Sequence, residues 1–313
     1  MTDTPSPLIV ITGPTATGKT ALGIALCRTL DGEVISADSM QIYKGMDIGT
    51  AKPTAEELAA APHHMIDVAD PREDWSVARW AGEAARWVED IRARGKQPIV
   101  VGGTGLYIEA LLTGRDYSAA PGEDGLRQRL SAEYDALGGD AFRAKLSAVD
   151  PERAQKLSPA DKKRLVRAME VYLLTGETIT AHDARSRALP PRYASVRFAL
   201  SFRDRAALYE RIRRRVDAMA AAGLFEEVEG LLRGRLSPDS TAMQAIGYKE
   251  AAAALRGDCS REEAVEAIKQ ASTRYAKRQL TWLRRDEGLH WLYREDAPGE
   301  AALTDAIFQF LRP

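Results

Sequence analysis

The chain has 313 residues, 45% apolar and 28% charged, with a net charge of −1, which suits one large domain or two modest ones around a sizeable core. No apolar run reaches the roughly 18 residues that span a bilayer, and the polar opening MTDTPSP lacks the basic-then-apolar build of a signal peptide. Cys27 and Cys259 cannot make a disulfide framework, and His63, His64, His182 and His290 stand at no metal-ligand spacing with them, so a reducing cytoplasm is expected and a zinc site is not.

The first patterned segment, LIVITGPTATGKTALGIALC from Leu8, reads as an apolar strand, a glycine turn and an amphipathic helix. EVISAD and QPIVV are further short strands, and ADPREDWSVARWAGEAARWVEDIRARG between them has helical spacing. Asp74 is its expected N-cap and Gly95 its expected end. Strands alternating with helices predict an α/β fold, a parallel sheet flanked by helices on both faces. From about Tyr117 the pattern changes: PGEDGLRQRLSAEYDALG, GGDAFRAKLSAVD and SPADKKRLVRAMEVYLLTG are helical with no strand between them. SVRFALSF, from Ser195, restores a strand. Residues 116–195 are therefore expected to form an all-helical insertion into a core built from 1–115 and 196–313, with LHWLY as its last strand.

GPTATGKT, which is Gly13, Pro14, Thr15, Ala16, Thr17, Gly18, Lys19 and Thr20, fits G-x-x-x-x-G-K-[ST] between a strand and a helix. In that setting backbone N–H groups and a helix N-terminus hold phosphates. Lys19 would reach a terminal phosphate, and the Thr20 hydroxyl would ligate Mg²⁺. Nothing in the motif specifies ATP hydrolysis.

The second strand ends ISADSMQIY, which puts Asp38 and Ser39 at the carboxyl edge of the sheet, where open α/β folds bind ligands. Asp38 could hold magnesium, take a proton, or cap the turn that follows. The third strand runs into VGGTGLY, with Thr104 among glycines where a nucleotide hydrolase often carries an acid. His63 and His64 are adjacent on an extended segment and point to opposite sides, which favours structural roles. Arg211 and Arg215 share a helix face, either solvated or placed over departing phosphates.

The charge is unevenly spread. Pro151 to Arg215 holds 16 basic against 7 acidic residues, and Lys269 to Arg285 holds 6 basic and no acidic ones. Within the second block, Arg274, Lys277, Arg278, Thr281, Arg284 and Arg285 form one helical stripe and Tyr275 and Trp282 another. Such blocks suit a grip on a polyanion, or are solvated faces. Without further guidance these residues rank an ATP-dependent small-molecule kinase first, with Asp38 activating a substrate hydroxyl.

In their order, GPTATGKT, ISADSMQIYKGMDIGTAKP, HHMID, VGGTGLY, KRLVRAMEVYLLTG, QAIGYKE and KRQLTWLR resemble the bacterial tRNA dimethylallyltransferases (tRNA isopentenyltransferases, the IPP transferase family) from about Leu8 to Arg284. The resemblance demotes the kinase to the alternative. It implies a P-loop NTPase-like core whose helical insertion clamps the anticodon stem of a tRNA. It also implies transfer of dimethylallyl from dimethylallyl diphosphate to N6 of the adenine 3′ of the anticodon, in tRNAs that read codons beginning with uridine.

By the same resemblance Asp38 is the general base and Thr104 a hydroxyl on the reaction channel. Lys19, the loop amides, Mg²⁺ on Thr20, and Arg215 (with Arg211 as fallback) hold the leaving diphosphate. The implied tRNA contacts are Asp38, Ser39, Met40, Gln41, Thr104, Arg127, Lys163, Arg164, Arg167, Gln244, Gly247, Tyr248, Lys249, Lys277, Arg278, Gln279, Trp282 and Arg284. A monomer is expected.

Overall fold

The computed structural model describes residues 6–113, 115, 125–297 and 299–311. The chain divides into two compact units, one of residues 1–112 with 193–313 and one of residues 113–192.

The first unit opens with β1 (Leu8–Thr12), α1 (Lys19–Leu30), β2 (Gly32–Ser36), α2 (Ala55–Ala60), β3 (His63–His64), α3 (Val77–Ala93), β4 (Gln97–Val101) and α4 (Gly105–Leu112). The second unit holds α5 (Leu126–Leu137), α6 (Gly139–Ser147), α7 (Pro151–Lys156), α8 (Lys162–Thr175) and α9 (Ile179–Arg187). The chain then returns with β5 (Ser195–Ser201), α10 (Arg205–Ala221), α11 (Leu224–Arg233), α12 (Tyr248–Arg256), α13 (Arg261–Leu283), β6 (Leu289–Tyr293) and α14 (Gly299–Leu311).

Six parallel strands run in the order β3-β2-β4-β1-β5-β6. In β1 every residue of LIVIT is buried, as a strand covered on both faces requires. Its Ile9 and Ile11 pack with Leu22 and Leu26 of α1 and with Ile99 and Val101 of β4. The carboxyl ends of β1, β2 and β4 thereby face one edge, and each runs into a loop rich in glycine or short polar residues.

One local expectation changes. The N-cap of α3 is Ser76, whose side chain accepts from Arg79 N–H, while Asp74 instead accepts from the Thr241 hydroxyl at 2.6 Å. The histidine pair forms β3, a short strand in register with Val34 and Ile35. In the second unit α5 spans Leu126–Leu137, and the residues from Pro121 expected to open it lie outside those described. No helix among the described residues is long and apolar enough to cross a membrane.

The second unit packs Leu130, Phe142, Leu146, Leu165 and Met169 into its own core. Buried there, Glu170 is held by Arg127 at 2.8 Å and by Arg167. Burial alone would raise its pKa, but the two guanidinium hydrogen bonds outweigh that and hold the carboxyl below its ordinary value.

In the first unit Glu227 of α11 fastens the loop after β2. Its carboxylate accepts from the backbone N–H groups of Asp47 and Ile48 at 2.8 Å and Gly49 at 3.2 Å, and from the Tyr248 hydroxyl. Glu227→Ala strands those donors, and urea unfolding should show a loss of about 2–4 kcal/mol. A loss under about 0.5 kcal/mol, the size of an ordinary surface change, would contradict the fastening role.

Candidate active site

Gly13 leaves β1 at φ +137°, and a Cβ there would stand 2.2 Å from the Leu200 carbonyl oxygen, so only glycine passes β5 this closely. Gly18 closes the loop at φ +89°, directly before the N-terminus of α1. From behind, Arg294 donates to the carbonyl oxygens of Thr17 at 2.9 Å and Gly18 at 3.2 Å. Arg211 donates Nε to the Ala16 carbonyl oxygen at 3.0 Å. Thr17 turns inward and donates to the Pro14 carbonyl oxygen at 3.0 Å.

Lys19 Nζ donates to the same oxygen at 2.8 Å. Burial, aided by the like charge of Arg215 and opposed by Asp38, lowers the Lys19 ammonium to about 7. A cation under that pressure gains most from an incoming anion.

Asp38 stands just past β2. Its Oδ1 accepts from Met40 N–H at 2.9 Å and Gln41 N–H at 3.4 Å, so it caps its own turn while also lining the cavities described below. Beyond β4, Gly102 lies so near β2 that a Cβ would meet the Ala37 carbonyl oxygen at 2.2 Å. That approach lets Thr104 N–H reach the Ala37 carbonyl oxygen at 3.1 Å, and the Thr104 hydroxyl accepts from Ser39 N–H at 3.2 Å. Burial pushes the Tyr275 phenol of α13 up to about 12, with the Thr104 hydroxyl opposing that shift.

Two cavities meet here. The smaller, about 120 Å³, is lined by Gly18, Lys19, Thr20, Gln41, His63 and Gly103 among others. The larger, about 320 Å³, is lined by Ser39, Met40, Met219, Gln244, Gly247 and Ser272 among others. Thr15, Asp38, Thr50, Arg215 and Tyr275 belong to both. One chamber is built for an anion, the other for a larger, partly apolar group, and a carboxylate and a guanidinium stand where they join. Arg215 places Nη1 3.5 Å from the Thr15 hydroxyl, whereas Arg211 lines neither cavity.

The expected tRNA-contacting residues divide. Gln244, Lys249, Lys277, Arg278 and Arg284 in the first unit are exposed, as are Lys163 and Arg164 in the second. Gln279 and Tyr248 are instead buried, at 7% and 0% exposure. Gln279 accepts from Thr15 N–H at 3.0 Å and donates to the Gly103 carbonyl oxygen at 2.9 Å, tying the phosphate loop to the loop after β4. Tyr248 spends its hydroxyl on Glu227. Gly247 is buried but lines the larger cavity, and Trp282 packs its ring over Gly105. Arg127 and Arg167 are engaged on Glu170. Helical spacing puts Gln279 between Tyr275 and Trp282, off the basic stripe, and only the tertiary fold shows that this face turns in beneath the phosphate loop.

Sequence reasoning passes over Arg294 and Glu227. Each acts across a large chain separation, and neither carries a local signal. Among the described residues no three His, Cys, Asp or Glu side chains gather as a metal site. Mg²⁺ beside phosphates takes most of its ligands from phosphate and water, so the Thr20 hydroxyl in the smaller cavity fits it without an acidic cluster.

A parallel sheet, a phosphate loop on its first strand and an anion chamber opening into a second one define a P-loop α/β protein that brings an anionic donor to a second substrate. The chain belongs to the IPP transferase family, whose model matches residues 41–286, and an isopentenyl transferase model matches residues 6–69. It is 47% identical to the tRNA dimethylallyltransferase of Desulforudis audaxviator over 97% of each chain. The structure resembles that of the tRNA isopentenylpyrophosphate transferase of Bacillus halodurans, with TM-score 0.72, 40% identity, and 98% and 97% of the two chains covered. It also resembles a eukaryotic dimethylallyltransferase solved acting on tRNA, with TM-score 0.82, 28% identity, and 98% and 80% covered.

A diphosphate ester bound beside Lys19 returns its ammonium toward the ordinary range, so binding takes up a proton above pH 7. Affinity should fall as pH rises from 7 to 9, by up to about tenfold per unit. Calorimetry in buffers of different ionisation enthalpy should show about one proton fewer taken up by Lys19→Met. Equal uptake in both proteins would contradict the assignment.

Proposed function

We propose that this protein transfers the dimethylallyl group of dimethylallyl diphosphate to N6 of the adenine immediately 3′ of a tRNA anticodon. The observation that carries the reading is the junction of the two cavities at Asp38, Arg215 and Tyr275, in a chain of the IPP transferase family. The diphosphate occupies the smaller cavity and the flipped adenine the larger. Unstacking a base in an anticodon loop costs a few kcal/mol at most, which contacts in the larger cavity offset.

Adenine N6 is a weak nucleophile because its lone pair is delocalised into the ring. Asp38 takes a proton from N6 as the N–C bond forms. The C1–O bond breaks, and its electron pair leaves on the diphosphate. Lys19, the loop N–H groups and Arg215 hold the charge that develops there. Thr20 would hold Mg²⁺, which supplies further neutralisation of the diphosphate when bound. The Thr104 hydroxyl, fixed by Ser39 N–H, orients the acceptor edge.

The basic surfaces would grip the phosphates of the anticodon stem-loop. On α13, Lys277 and Arg278 are exposed, as is Arg284 at its C-cap, while Lys269 is spent on Asp217 and Glu266. In the second unit many basic residues hold exposed acids, such as Lys162 on Asp135 and Lys156 on Glu152. Such pairs are worth little and yield readily to phosphate. We assign that unit to clamping the stem, and the protein to the cytoplasm as a monomer. A kinase is disfavoured by the end of β4, which offers Gly102, Gly103 and Thr104 rather than an acid for a phosphoryl-transfer metal.

Nucleoside mass spectrometry of tRNA treated with the protein and dimethylallyl diphosphate should show N6-(dimethylallyl)adenosine. ATP turnover with unmodified tRNA would establish the kinase instead. Asp38→Ala should slow single-turnover prenylation by about 10²-fold or more while tRNA binding persists; a rate near wild type would remove Asp38 from the role. Affinity for tRNA should fall steeply with salt, and a flat response would show that the basic faces bind no phosphate.

A further inference from the structure

Arg294 follows β6, and its backbone N–H donates to the Ser201 carbonyl oxygen of β5 at 3.0 Å. From there its side chain reaches the phosphate loop, and all three of its guanidinium nitrogens are engaged. Nε donates to the Thr17 carbonyl oxygen at 2.9 Å, Nη2 to that of Gly18 at 3.2 Å, and Nη1 to Glu300 of α14 at 3.0 Å. The Arg294 side chain is 15% exposed and that of Glu300 40%. Arg294 lines neither cavity, so it stands behind the loop rather than beside a ligand.

The two carbonyls it holds belong to the peptides that carry Gly18 N–H and Lys19 N–H. In a planar trans peptide the carbonyl and the N–H point opposite ways, so both N–H groups point away from Arg294. Gly18 and Lys19 line the smaller cavity. Lys19 opens α1, whose first N–H groups have no intrahelical partner. Among the described residues neither N–H donates to a protein group. A cation bonded to the oxygen of a peptide draws electron density from its nitrogen, which strengthens the N–H as a donor by about 10–30% per bond. Neutral amides could satisfy the same two carbonyls. A guanidinium mostly withdrawn from water costs more than they would, and its charge is useful only if an anion sits across the loop.

We propose that Arg294 is a positioning residue for the donor's diphosphate, fixing and polarising the Gly18 and Lys19 peptides from behind so that their N–H groups are aimed at the charge that builds on the leaving group. The inference rests on the prenyl-transfer reading above for that building charge. No bond to Arg294 forms or breaks. Its charge acts through the loop, whereas Lys19 and Arg215 act from the cavity wall. Glu300 is the counterweight, since its carboxylate offsets part of the charge that the loop would otherwise feel.

Calorimetric titration with inorganic diphosphate at low salt reads the site without turnover. Arg294→Gln keeps an N–H donor but loses the charge, and its Kd should rise about tenfold or more. Arg294→Lys keeps the charge but cannot span both carbonyls, and its Kd should lie between those of Arg294→Gln and wild type. Glu300→Gln leaves both carbonyl bonds in place and removes the counter-charge, so diphosphate should bind about two- to fivefold more tightly. A purely structural brace would show the reverse, because loss of Glu300 would loosen it. Single-turnover prenylation by Arg294→Gln at saturating donor should slow about tenfold, while its tRNA affinity without donor stays within about twofold of wild type. A folded Arg294→Gln that binds diphosphate within about twofold of wild type overturns the proposal. Should Arg294→Gln fail to fold, Glu300→Gln decides: tighter binding supports the proposal, and equal or weaker binding overturns it. If wild type makes no prenylated adenosine, the parent reading fails, and the diphosphate titration still decides the role of Arg294.

Discussion

Two hydrogen bonds from one buried amide hold the reaction centre together. Gln279 of α13 accepts from Thr15 N–H in the phosphate loop and donates to the Gly103 carbonyl oxygen in the loop after β4. Without that tie, two glycine-rich loops at neighbouring strand ends would share an edge but not a fixed spacing. With it, the diphosphate site, Thr104 and Asp38 keep one geometry, because Thr104 is in turn bonded to Ala37 and Ser39 on either side of Asp38. A group-transfer site needs this kind of preorganisation, since misplacement of about 1 Å can cost about 10²-fold in rate.

The same logic extends outward. The loop after β2 lends Thr50 to both cavities, and it is held at one end by Glu227 and from within by Gln41, whose amide donates to the Ala51 carbonyl oxygen at 3.1 Å. Glu227 also carries the hydroxyl of Tyr248, adjacent to Gly247 on the wall of the larger cavity. The Gly247 wall of the larger cavity and the loop that lends Thr50 to both cavities thus share one carboxylate. Lys52 adds a second fastening, bonding the Tyr43 carbonyl oxygen and Asp47 at 2.6 Å each and also Asp67.

Much of this was legible in the sequence because it is local. β1, the phosphate loop and α1 are consecutive, and their apolar run, glycines and helical spacing state the arrangement outright. The strands at EVIS, QPIVV, SVRFALS and LHWLY announce themselves in the same way. What escaped is non-local. Ser76 outcompetes Asp74 as a cap because Thr241, far along the chain, takes the Asp74 carboxylate. Gln279 and Tyr248 read as surface recognition residues, and only the packing of α12 and α13 shows them to be internal braces. The HH dipeptide says nothing about which ring faces which side until the register with Val34 and Ile35 is known.

The central claim is that the phosphate loop holds a leaving group, so that the bond broken lies between carbon and oxygen. It is tested most directly with dimethylallyl diphosphate carrying ¹⁸O in the oxygen that bridges C1 and phosphorus. After reaction with tRNA, all of the label should appear in the released inorganic diphosphate. Label that stays attached to the dimethylallyl carbon would mean that phosphorus was attacked, and would contradict the account.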